Sequence, residues 1–282
     1  MCFDSVIDVQ RPLESRSSRN LPGFIKPFLD THIIPTVIDY YGAKANPWDL
    51  QELGRDELLD LCQVLVDEVA PRVGHDVKKS EPIYKLTQQA VYAWRSSFAQ
   101  AAVSAIQEAI VSKFGQPPKI REVKLWAAAA IMSGGEAMWA RPKTQAARAE
   151  GKLQSKYVLK TFATHLTATT GSLHDYGYPG GALAIAAAAV KHVFPMFETG
   201  VFVAAGAFSG TNVENDTSDW YTKTVSKFVR TPDHFKVLLR QAAKFATASK
   251  VRKVNPRDRE VSVEFSRSSP PLEDHELDMD DR

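Results

Sequence analysis

Cysteine is nearly absent: Cys2 and Cys62 are the only two in 282 residues. That excludes a disulfide framework and a cysteine-rich zinc module, and it fits a reducing compartment. Cys62 stands among Leu58, Leu61, Leu65 and Val66, the surroundings of a buried thiol. Net charge is small as well, +2 at pH 7, and by itself it names no acidic partner. No apolar run reaches the roughly 20 residues that a membrane span needs, so no membrane partner is expected. The opening MCFDSVIDVQ lacks a basic region followed by an apolar run, so no secretory signal is expected and the chain reads as intracellular, nuclear or cytoplasmic. Without that signal the sequon Asn215-Asp216-Thr217 is expected to be idle. Motifs of catalysis are also missing: there is no GxxxxGK[ST], no GxGxxG after a strand, and no GxSxG, HExxH or CxxC. No cofactor is expected.

What the chain has is alanine in one place. Within PGGALAIAAAAVKHVFPMFETG (179–200), nine apolar residues run from Ala182 to Val190, and six are alanine. Alanine has the best helix propensity, and nothing in the run interrupts a helix. A helix apolar on every face is one surrounded by others. Ala182, Ala186 and Ala189 recur at helical spacing, so neighbouring backbones can approach there. Pro179 suits the first turn, and Pro195 should stop or kink the helix.

The flanking pattern is helical too. Residues 55–70 carry apolar side chains at 58, 61, 62, 65, 66 and 69, the period of an amphipathic helix. The longest element is predicted over 81–114, with Ile83, Leu86, Ala90, Trp94, Phe98, Ala101, Ala105 and Ala109 on one stripe and Gly115, Pro117 and Pro118 beyond its end. Shorter helices are predicted over 121–132, 157–169, from Ser218 onward and from Thr231-Pro232 onward. Asn46-Pro47 has the look of a helix start, Pro22, Pro27 and Pro35 favour short pieces over 22–45, and the stretch from Gly206 reads as turn-rich. The resulting expectation is an all-α multi-helix bundle packed around the buried alanine-rich helix. Its domain plan is a flexible 1–19, one helical domain over 20–250 and a disordered basic-then-acidic tail over 251–282.

Two stretches are rich in positive charge. Residues 141–160 hold six Lys or Arg against Glu150 alone, and 236–259 hold eight against Asp258 alone. Arg148, Lys152, Lys156, Lys250, Arg252 and Lys253 are the candidate nucleic-acid contacts within them. Residues 260–282 reverse the sign, with eight Asp or Glu and two Arg, a segment able to solubilise, to bind a basic partner or to fold back on the basic one. Histidine offers the one catalytic alternative. His165, the doublet His174-Asp175 and His192 contain the residue types of a divalent-metal site that activates water, although no helix offers a further matching Asp. Trp94, Trp126, Trp139, Tyr176, Tyr178 and Trp220 sit mostly at core spacing, with Tyr176 and Tyr178, beside glycines, the ones expected at the surface.

FIKPFLDTHIIPTVIDYYGAKANPW (24–48), SSFAQAAVSAIQEAIVSKFG (96–115), YPGGALAIAAAAVKHVFPMFETG (178–200) and WYTKTVSKF (220–228) share a pattern: a proline before a small-residue helix, then an aromatic and a glycine, then a helix with an aromatic pair. In this the chain resembles a domain-of-unknown-function family expanded in mushroom-forming basidiomycete fungi, over about residues 24–246. The resemblance implies lineage and a helical fold; it brings no activity and no catalytic residues. The functional expectation is a non-enzymatic intracellular interaction module whose partner is a protein or nucleic acid. The alternatives are nucleic-acid association through 141–160 and 236–259, and a metal-dependent hydrolase at the His/Asp cluster.

Overall fold

A computed structural model describes residues 21–249 apart from Leu53. The expectations for 1–19 and 251–282, and for Lys250, Arg252 and Lys253, lie outside these residues.

The fold is all-α, a multi-helix bundle in which 63% of the described residues are helical. A short helix, Lys26–Phe28, and a π turn, Leu29–Ile33, lead into α1, Ile34–Ala43, in the short pieces that the prolines predict. The other long helices are α2 (Glu57–Val69), α3 (Pro82–Phe114), α4 (Ile120–Ile131), α5 (Lys156–Ala168), α6 (Gly180–Val193), α7 (Gly210–Trp220) and α8 (Pro232–Ser249). A 3-10 turn, Phe194–Phe197, extends α6, and a π turn, Tyr221–Val225, and a short helix, Ser226–Val229, follow α7. Four short strands form two antiparallel hairpins, β1 (Gln51–Glu52) with β2 (Arg55–Asp56), and β3 (Trp139–Arg141) with β4 (Glu150–Lys152).

Several local expectations are corrected. Asn46 does not open a helix: its Oδ1 accepts the Trp48 backbone N–H at 3.0 Å, closing a turn two residues long instead. The turn-rich stretch after Gly206 gives way to α7, whose polar sequence GTNVENDTSDW buries only Val213 and Thr217. Ser218 lies inside that helix and does not cap it. Part of the basic run 141–160 is a β-hairpin, not only loop and helix.

The stretch expected as one helical domain divides into two compact units among the described residues: 21–40, 49–94 and 168–176 form the first, and 41–48, 95–167 and 177–249 the second. In the first, α2 turns Leu58, Cys62, Leu65 and Val66 inward at the predicted period, and the Asp56 carboxylate accepts the Leu59 N–H at 3.0 Å to cap it. The Cys62 thiol is free, and burial pushes its pKa up to about 12. The loop 168–176 is tied to the entry helices. Gly171 passes so near the Thr31 carbonyl that a Cβ would lie 2.2 Å from its oxygen, and the Leu173 N–H donates to Thr36 Oγ1 at 2.9 Å.

In the second unit, every residue of α6 from Gly180 to Val190 is buried. It packs on α7, on the π turn after α7 and on its own 3-10 extension. Pro195 falls in that extension, where its fixed φ suits the tighter turn. Gly181 lets the start of α6 come against 42–44, since a Cβ there would lie 2.1 Å from the Lys44 carbonyl oxygen. Gly180–Phe197 has the length and composition of a membrane span, and 83% of it is buried inside the protein.

Candidate nucleic-acid interface

The β3–β4 hairpin presents the first part of the predicted basic run, and α5 carries Lys156 and Lys160. Trp139 pairs with Lys152 and Arg141 with Glu150, and Arg141 and Glu150 also form an ion pair across the strands. The loop between them, 142–149, is exposed except at Ala149, which is half-buried. Both ends are pinned. The Lys143 N–H donates to the Gly134 carbonyl at 2.8 Å and the Leu153 N–H to the Met138 carbonyl at 2.7 Å. Leu153 is wholly buried with a φ of +60°, a conformation that a branched side chain adopts only when packing holds it there. Ser155 then donates to the Ala137 carbonyl at 2.6 Å and accepts the Val158 N–H at 3.1 Å, so one hydroxyl joins the base of the hairpin to the start of α5.

Lys152 leaves the hairpin at the level of the π turn. Its Nζ donates to Thr224 Oγ1 at 2.9 Å and stands 5.4 Å from the centre of the Trp220 ring. Burial holds its pKa below the usual lysine range, and the nearby Lys227 adds to the depression. Lys156 is exposed, with its ammonium 5.1 Å from the Tyr157 ring centre. Its pKa is lowered first by burial and then by Lys113 and Lys160, with Glu136 and Glu108 pulling the other way. The carboxylates close by are already engaged. Glu136 takes Lys113 at 2.9 Å and the Trp126 indole N–H, Glu108 takes Lys160, and Glu150 takes Arg141. Among the described residues, Lys143, Arg148, Lys152, Lys156 and Lys227 have no ion pair with a carboxylate. A surface of cations left without carboxylates is one that phosphate oxygens can neutralise.

The histidines are placed otherwise. His165 is 1% exposed on α5, stacked on Phe162 and held by burial at a pKa of about 3. His192, at the end of α6, is half-buried 5.6 Å from the Phe208 ring, and burial lowers its pKa. Both belong to the second unit. His174 and Asp175 belong to the first, where His174 pairs with Glu68 at 2.8 Å. There Asp39 is held above the usual carboxylate range, mainly by burial and further by Asp175, against the hydrogen bond from Ser172. The metal-site expectation finds no matching arrangement: among the described residues no group of three or more His, Cys, Asp or Glu is placed to hold a metal ion.

No family model matches the chain, and no curated protein or solved structure matches it. The functional argument therefore rests on these side chains. Sequence reasoning found Arg148, Lys152 and Lys156 as a charged run. It read Trp139 and Trp220 as core residues and placed neither them nor Thr224 and Lys227 beside that run, because three-residue strands give no readable alternation. The paired glycines Gly134-Gly135 before the run and Gly151 within it were the available signal for a hairpin.

Proposed function

We propose that this chain is a non-enzymatic interaction module that binds nucleic acid through its second unit. One observation carries the reading. Among the described residues the second unit holds 19 Lys or Arg against nine Asp or Glu, whereas the first holds six against twelve. A chain whose net charge is only +2 thus concentrates its positive charge on one unit, and that is the electrostatic footprint of a polyanion partner. Lys143, Arg148, Lys152, Lys156 and Lys227 are the phosphate contacts in this reading. Lys250, Arg252 and Lys253 join them on charge alone. The free thiol of Cys62 supports an intracellular setting, and the fungal family is retained as the proposed lineage.

The test is titration of labelled oligonucleotides by fluorescence anisotropy across a range of salt. The five contacts among the described residues contribute about −3.5 to the log–log salt slope on single strands and about −4.5 on duplex, and Lys250, Arg252 and Lys253 make it steeper. Absence of binding at low salt overturns the reading.

A further inference from the structure

We infer that Trp139 and Trp220 form a base-stacking platform with Lys152 as its phosphate contact, so that the ligand of the second unit is single-stranded nucleic acid. The inference rests on the nucleic-acid reading above and narrows its ligand.

The other indoles of the second unit for which contacts are defined are engaged with the protein. Trp48 donates its N–H to Thr217 at 3.0 Å and lies on Phe208, and Trp126 donates to Glu136 with its ring among Phe114, Tyr157 and Phe194. Trp139 and Trp220 differ from both. All four are half-buried, but among the described residues neither Trp139 nor Trp220 packs on another aromatic ring or donates its indole N–H to the protein.

These two indoles meet at one lysine. Trp139 and Lys152 are directly opposed in the antiparallel hairpin, so their side chains leave the same face, with Cβ atoms about 5 Å apart. The ammonium of Lys152 then reaches the Trp220 ring at 5.4 Å and is fixed there by Thr224. Lys227 stands near enough to act on Lys152, and Lys143 and Arg148 lie on the exposed loop beyond Trp139. Flat apolar rings interleaved with cations that have no carboxylate are what a strand of unpaired bases requires: each base offers a face to stack and each linkage a phosphate to neutralise. A duplex keeps those faces stacked within itself and offers only its backbone and groove edges.

The experiment uses the full chain with a single-stranded DNA or RNA of about 12 nucleotides and the duplex of the same length. The single strands are expected to bind more tightly than the duplex. Trp139→Ala and Trp220→Ala are each expected to weaken single-strand binding about 5- to 150-fold, with little change for the duplex. As a second measurement that keeps the rings, the double variant Trp139→Phe and Trp220→Phe should retain most of the single-strand affinity and lose most of the quenching of tryptophan emission on binding. Equal affinity for duplex and single strand, or unchanged single-strand binding in both Ala variants, overturns this inference and leaves the proposed function standing. Absence of binding to either ligand overturns both.

Discussion

His165 links the stability of the fold to pH. It sits on α5 with its ring stacked on Phe162, and Gly42 passes so close that a Cβ there would lie 2.3 Å from the imidazole Cε1. Burial keeps it neutral in the folded state, with a pKa of about 3 against an ordinary 6.5. Below pH 6.5 the unfolded chain therefore binds a proton that the folded chain refuses. Stability attached to this group is complete above about pH 6.5 and falls as the pH drops toward 3, by up to about 1.4 kcal/mol per pH unit. Chemical denaturation between pH 7 and 4 checks this: His165→Leu should show a slope shallower by about one proton than the wild type. Equal slopes would mean that the imidazole can be protonated inside the fold. The sequence placed this histidine on a helix beside Phe162, but it offered His165 as a metal ligand. Its burial depends on Gly42, more than a hundred positions away, and no local pattern reports such a contact.

Among the elements, α6 is the one whose role was most legible. A run apolar on all sides must be enclosed, and each position from Ala182 to Val190 is fully buried. Its short side chains and the paired glycines at its start permit that enclosure at close range. Ala186→Leu should overpack the contact and cost about 1–3 kcal/mol, measured as a fall in the urea midpoint with the slope of the transition unchanged. An unchanged midpoint would mean that the helix has room on that side. The amphipathic helices α2 and α8, the latter with Phe235, Leu238 and Ala242 buried, were legible for the same reason, since apolar residues at steps of three and four survive any tertiary arrangement that buries one face. Two elements were not. In α7, polar residues dominate and burial touches only Val213 and Thr217, so periodicity had almost nothing to register. In the β3–β4 hairpin each strand is three residues long, and its end is held by a buried leucine in a left-handed backbone conformation that no propensity favours.

Over the whole molecule the decisive property is the partition of charge. Total composition is balanced, 35 basic against 33 acidic residues, yet the described part of one unit is acidic and that of the other basic. The proposed function therefore predicts an asymmetry between units. Neutralising Lys143, Arg148 and Lys227 to Gln in the second unit should make the salt slope of nucleic-acid binding shallower by about 2 to 3. Neutralising Arg72, Lys78 and Lys85 in the first, also three exposed cations, should leave that slope within error. Equal effects of the two sets would assign the binding to diffuse attraction by the whole chain.

The amino-acid sequence by itself determined the helical class, the enclosure of the alanine-rich helix, the buried state of Cys62 and the clean faces of α2 and α8, because each of these follows from the identity and spacing of residues close together in the chain. It could not determine which charges share a unit, or that Lys152, paired across the hairpin with Trp139, reaches Trp220. Lys152 and its partner Thr224 are 72 residues apart, and the two units are each assembled from three separate stretches of chain. Such neighbours are created only when the helices between them pack, and the tertiary structure alone decides which residues that packing brings together.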